Sequence, residues 1–290
     1  MGQDLAASVR ARLLNIAKAE QTDFNAVLVR YALERFLYRL GQSAHADHFV
    51  LKGAMLFNLW YAMPHRPTRD VDLLGYGASD LDAIAQAFRE IVSVPADDGM
   101  VFDVSSVHVQ EIRKNAGYAG ARVWVSAELA RARCKTQIDI GFGDAITPGP
   151  VNATYPVLIA GFPPPQLRTY PVYTVVAEKL HAIVLLGMTN SRLKDYLDLW
   201  ILLDHETLDA GILARAIAAT FNRRGTLLPT ELPIGLSDEF AGDASRQALW
   251  AAFLRKNGLK TMPLGDVVGA LRKRLQPALG YATSRGADPG

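Results

Sequence analysis

The chain predicts an α/β (α+β) fold, with N-terminal helices, a core built on a mixed sheet and a helical C-terminal region. Three observations carry this. Apolar residues recur at helical spacing through residues 5–40 and again from residue 174 onward. Between residues 101 and 140, short runs of β-branched residues alternate with polar ones. A proline-rich stretch, 147–171, which contains Pro163-Pro164-Pro165, separates the two regimes. The expected division is therefore residues 1–165 for the helices and core, and 166–290 for a helical domain.

Taken in order, residues 5–19 place Leu5, Val9, Leu13 and Ile16 on one helical face. Thr22 or Asp23 is positioned to cap a second helix, with Gly41 as its stop. Residues 43–48 form a polar loop; His45 and His48 sit three apart, as metal ligands can, or simply face solvent. Residues 49–52 are an apolar lead-in strand, and a helix over 54–61 follows Gly53. Pro64 and Pro67 stiffen a turn around His65-Arg66. A short strand, Asp70-Val71-Asp72-Leu73-Leu74, comes next, then a helix over 81–91 capped by Ser79. Strands are expected at 101–107, 107–112, 122–127 and 136–140, with a turn at 117–120. Beyond the prolines, helices are expected at 175–186 (Thr174 cap, Gly187 stop), 192–204 (Ser191 cap), 208–221, 238–256 and 264–275. Arg272-Lys273-Arg274 would then complement the last helix's dipole. The tail, 284–290, reads as frayed.

Bulk properties exclude several classes. Half of the 290 residues are hydrophobic, enough for one large or two modest cores. A net charge of +2 does not by itself mark a nucleic-acid binder. The single Cys134 precludes an internal disulfide and fits a reducing compartment. With no leader pattern and no uninterrupted apolar run of spanning length, the expectation is a soluble cytoplasmic protein without a membrane partner. Cys134 lies between Arg133 and Lys135 but has no histidine motif, so it reads as a structural thiol. Walker A, G-x-G-x-x-G, G-x-S-x-G and zinc spacings are absent from the sequence.

The chemistry concentrates in 49–74. Asp70 and Asp72 stand at i and i+2 of a strand, so their carboxylates share a face. Such a pair is hard to keep ionised without a cation. Mg²⁺ is the natural partner, since it takes one or two carboxylates plus substrate phosphates. Gly53, upstream, lets a backbone approach phosphates. Asp139, within Ile138-Asp139-Ile140, is a further carboxylate on a β-branched run. A glycine turn, a D-x-D strand and a later strand carboxylate are the bare layout of a two-metal phosphoryl-transfer site, or simply carboxylates at strand ends. In the C-terminal region, Asp195 and Asp198 share a helical face, and Lys194 can pair with Asp198. Basic clusters at Arg223-Arg224, at Arg255, Lys256 and Lys260, and at 272–274 permit RNA phosphate contacts or are solvated helix ends.

Four blocks in order extend this. They are Leu51-Lys52-Gly53-Ala54 with Arg66-Pro67-Thr68-Arg69-Asp70-Val71-Asp72; Thr136-Gln137-Ile138-Asp139-Ile140-Gly141; Ala177-Glu178-Lys179-Leu180-His181-Ala182; and Arg192 through Leu199. Together they resemble the AbiEii/AbiGii-type (MenT-like) nucleotidyltransferase toxins. The resemblance implies a polymerase-β-like nucleotidyltransferase core, Mg²⁺, a nucleoside triphosphate donor, an RNA acceptor such as the tRNA 3′ end, and a winged-helix antitoxin partner. It implies Asp70, Asp72, Lys179 and Asp195 as catalytic residues. Gly53, Ala54, Arg66, Thr68, Arg192 and Asp198 are implied as nucleotide- or substrate-binding residues, and Asp70, Asp72 and Asp139 as metal ligands. The superfamily usually has Gly-Gly or Gly-Ser at the phosphate turn; here Ala54 offers only its backbone N–H. A small-molecule or protein acceptor, or a non-catalytic nucleotide-binding module, are the alternative readings.

Overall fold

A computed structural model describes residues 2–61, 68–77, 79–114 and 118–286. It divides into two compact units: Met1–Gly143 with Val151–Thr169, and Asp144–Pro150 with Tyr170–Gly290.

The first unit is built on one seven-stranded mixed sheet. Its strands are β1 (Phe49–Lys52), β2 (Asp70–Gly75), β3 (Val101–Lys114), β4 (Tyr118–Leu129), β5 (Ala132–Phe142), β6 (Val151–Thr154) and β7 (Gln166–Thr169). The spatial order is β3-β4-β5-β2-β1-β7-β6, with β2–β5 and β1–β7 parallel. Three helices, α1 (Gly2–Ala19), α2 (Phe24–Gln42) and α4 (Leu81–Val92), pack on the sheet. Period-2 alternation sends Val71, Leu73, Val123, Val125, Ile138 and Ile140 into that helical layer, all fully buried. Phe88 of α4 stacks on Phe36 of α2 and meets Phe49 edge-on. The same alternation leaves Asp70, Asp72, Arg122, Trp124 and Gln137 half-buried on the other face.

Several local expectations are corrected by packing. Gly41 does not end α2. A Cβ there would meet the Gln166 carbonyl at 2.3 Å, so the glycine serves the close approach of helix to β7. Asp23 is the N-cap of α2, accepting from Asn25 N–H at 2.8 Å. The helix after Gly53 is shorter than expected: a 3₁₀ turn, Gly53–Met55, precedes α3 (Leu56–Trp60). Asp80, not Ser79, caps α4. The separate strands expected over 101–112 are one, β3, with a bulge between Asp103 and His108. Tyr118 to Gly120 belong to β4 rather than a turn, and Gly117 lies outside the described residues. The proline-rich stretch contains β6 and β7, which extend the sheet beyond β1. His45 pairs with Glu90 at 2.7 Å.

The second unit is helical: α5 (Val172–Leu186), α6 (Leu193–His205), α7 (Ala210–Arg223), α8 (Asp238–Gly242), α9 (Ala244–Lys256) and α10 (Leu264–Gly286). Pro171 and Arg192, not Thr174 and Ser191, occupy the N-cap positions of α5 and α6. Thr174 instead donates to the Thr147 carbonyl. Gly187, at φ +46°, ends α5 as its position predicts. Asp243 breaks 238–256 into α8 and α9 by capping the latter. The last helix runs on past residue 275, so 272–274 sit mid-helix, where a dipole cannot favour them. Arg272 pairs with Asp238 instead. Residues 172–189 are apolar enough in composition to cross a membrane, although Glu178 and Lys179 interrupt the run. Yet Val175, Val176, Leu180 and Ile183 are buried, and α5 packs on α6 and α7 as a core helix.

Candidate functional site

The first unit assembles its polar cluster by strand register. Asp72 lies opposite Lys52 on β1 and opposite Asp139 on β5; Asp70 lies opposite Gln137; Asp139 lies opposite Arg122 on β4. Residues directly opposite in a sheet share a face. Four strands therefore deliver Lys52, Asp70, Asp72, Asp139, Gln137 and Arg122 to one surface. Thr68 Oγ1 donates to Asp70 Oδ1 at 2.9 Å, bracing the carboxylate from its own strand entry. Gly53 sits at φ +74°, and a Cβ there would fall 2.2 Å from Asp72 Oδ2. Only glycine allows this carboxylate to occupy the space against the turn. Ala54 is half-buried in the 3₁₀ turn just after it. Arg66 lies outside the described residues.

Asp139 is engaged. Arg122 holds it in a bidentate pair, Nε to Oδ1 and Nη2 to Oδ2, each 2.7 Å. Gln137 Nε2 adds a third bond at 3.2 Å. The hydrogen bonds that Arg122 donates to Asp139 hold the guanidinium's pKa above its usual value. Burial opposes this, and the charges of Asp139, Asp70 and Asp72 reinforce it. Arg122 is thus the counter-ion of all three carboxylates. Among the described residues, no three His, Cys, Asp or Glu side chains converge to hold a metal ion. As a donor set for Mg²⁺, Asp70 and Asp72 fit: a same-face carboxylate pair beside a side-chain-free turn. Asp139 does not fit while Arg122 occupies both its oxygens.

The second unit holds the other cluster. Lys179 Nζ on α5 donates to Asp195 Oδ1 at 3.0 Å and to Asp198 Oδ2 at 2.6 Å on α6. The Asp195 and Asp198 side chains are 1% and 0% exposed, and Lys179 is 12% exposed. Arg192 Nε approaches Asp195 Oδ2 at 2.8 Å. Spacing of i and i+3 on α6 aims both carboxylates at one lysine. Beside Lys179 in sequence, Glu178 pairs with Arg224, which bridges it to Asp144 at 3.1 and 3.0 Å. Arg224 also faces His181 Nδ1 at 3.4 Å. A guanidinium only donates, so Nδ1 accepts and Nε2–H is left to donate to Thr226 Oγ1. Burial, then the Arg224 charge, pulls the His181 pKa down to about 4. Burial pushes the Cys134 thiol up to about 11, consistent with a structural role.

The family model described as "Nucleotidyl transferase AbiEii toxin, Type IV TA system" matches residues 35–276. This chain belongs to the AbiEii family. The AbiEii match spans parts of both units and all four sequence blocks. Among solved structures, the chain is similar to JHP933 from Helicobacter pylori. The identity is 14% and the TM-score 0.50, covering 90% of this chain and 94% of that one. It is also similar to a putative nucleotidyltransferase from H. pylori, at 16% identity and TM-score 0.50, covering 90% and 96%. These likenesses support the fold. No curated protein matches. AbiEii membership carries a nucleotidyltransferase assignment and, from the toxin–antitoxin context, an antitoxin partner and a nucleotide substrate.

Sequence reading did not single out Lys52 or Arg122 as members of the carboxylate surface. The Arg122-Val123-Trp124 alternation was visible, but its place beside Asp139 depends on a strand pairing that no local pattern encodes.

Proposed function

We propose that this chain is a type IV toxin that transfers a nucleoside monophosphate from an NTP to an RNA 3′-hydroxyl, that of tRNA in particular. The supporting observation is the register that sets Asp70 and Asp72 on one open sheet face with Gly53 packed against Asp72. Asp70 and Asp72 would hold Mg²⁺, which, when bound, supplies charge neutralisation at the triphosphate and acidifies the attacking hydroxyl. Thr68 keeps Asp70 aimed at that face. The Gly53-Ala54 turn presents backbone to the phosphates without a side chain in the way. In the helical unit, Lys179, held by Asp195 and Asp198, is the ammonium that would serve a phosphate. Arg192, beside Lys179 on the same unit, would add a second cationic contact. Catalysis of this kind is positioning and electrostatics.

Incubating the protein with each α-labelled NTP in turn, over total RNA and total protein fractions, tests the reading. Label in the tRNA band with one NTP supports it. Label in protein or a small molecule redirects the acceptor, and NTP binding without transfer to any fraction overturns it.

A further inference from the structure

Beside the carboxylates, the same open face carries an aromatic pair with cations against it. Trp124 of β4 and the exposed His108 of β3 are register partners; their rings lie 5.6 Å apart and 13° from parallel. Lys135 Nζ sits 5.1 Å from the Trp124 ring centroid, and the Arg122 guanidinium 6.0 Å from it. Tryptophan side chains that serve packing go to the helical layer, where Val123 and Val125 on either side of Trp124 do go. Trp124 points the other way, half-exposed, among Arg122, Ser126, Lys135 and Gln137.

We infer that this face is a stacking platform for the 3′-terminal bases of a single-stranded RNA acceptor. A flat π-surface flanked by ammonium and guanidinium groups suits bases and phosphates together. Register fixes its distance from the carboxylates: Trp124 lies opposite Gln137, and Gln137 opposite Asp70. Two strand spacings, about 10 Å, separate platform from Asp70. A short single-stranded end spans that gap. The side of approach decides between donor and acceptor. Gly53 lies on the β1 side of Asp70 and Asp72, and Trp124 on the β5–β4 side. In-line displacement sends the leaving pyrophosphate and the attacking hydroxyl to opposite sides of the phosphorus. With the triphosphate at the Gly53 turn, the acceptor comes across β4 and β5. This step rests on the transferase reading given above.

The test is fluorescence anisotropy of a labelled single-stranded RNA oligonucleotide, run with NTP binding in parallel. Trp124→Ala is expected to weaken oligonucleotide binding by roughly five- to a hundredfold, with NTP affinity unchanged and Trp124→Phe restoring most of the loss. His108→Ala, an exposed change with little fold risk, weakens it less and in the same direction. Unchanged RNA affinity in both alanine variants overturns the inference. So does a loss confined to NTP binding, which would make the platform the donor's, and so does an absence of RNA binding by the wild type. A wild type that binds the oligonucleotide through Trp124 but transfers nothing to it sinks the transferase reading and leaves the platform standing.

Discussion

Two carboxylate clusters, one per unit, differ in burial. On α5 and α6, Asp195 and Asp198 meet Lys179 and Arg192, with the acids wholly buried. On the sheet, Asp70, Asp72 and Asp139 share a surface with Arg122 and Lys52, and Asp70 and Asp72 stay half-open. A cluster of buried acids fixes geometry; breaking it strands a buried charge. Half-open carboxylates that share one face favour a further cation. The difference makes rigidity the expected property of the helical cluster and, on the function proposed above, cation capture that of the sheet.

The largest expected effect comes from breaking the buried cluster. Asp198→Ala leaves Lys179 short of its nearest acceptor and should cost about 3–5 kcal/mol in urea unfolding. Asp72→Asn relieves like-charge repulsion among half-open carboxylates on the sheet and should cost far less at the unfolding midpoint. Equal losses from the two substitutions would erase the contrast.

The next effect sharpens the picture of the helical unit as dry. His181 has an ordinary value of 6.5 unfolded and about 4 folded. Between these values the unfolded chain binds the extra proton, so the contribution is full above pH ~6.5 and is lost as pH falls towards 4. The loss is on the order of 3 kcal/mol. A His181→Gln variant should show a flatter acid limb of stability over that window. An unchanged limb would mean that His181 is solvated.

The smallest effect probes the sheet cluster's appetite for cations. Arg122→Gln removes the counter-ion shared by Asp139, Asp70 and Asp72. Metal-free protein should melt lower, and added Mg²⁺ should stabilise the variant more than wild type. A tenfold tighter site adds about 1.4 kcal/mol. Equal Mg²⁺ stabilisation in both proteins would mean that Arg122 does not compete for the cluster.

Much of this architecture was legible because local patterns and tertiary packing agree. The apolar lead-in at 49–52 and Gly187 are short-range signals, and the structure uses them as read; the alternation in 101–140 marked strands but not the bulge that joins two of them into β3. Gly41 and Thr174 were misread because their roles are set at a distance, by the Gln166 carbonyl and by Thr147. The strands hidden among the prolines escaped notice because β7 is held by β1, with Thr169 against Leu51 far upstream, and β6 is held in turn by β7. In the site, spacing alone put Asp70 with Asp72 and Asp195 with Asp198. Arg122, Lys52 and Trp124 join only through strand register, which depends on the whole sheet.

The most direct test is pyrophosphate release and label transfer from an α-labelled NTP to total tRNA in Mg²⁺, comparing wild type with Asp72→Asn at matched folded fractions. The sheet cluster as the seat of transfer predicts at least a hundredfold loss, about 2.7 kcal/mol of barrier, with the unfolding midpoint intact. Wild-type transfer by a folded Asp72→Asn protein would contradict it.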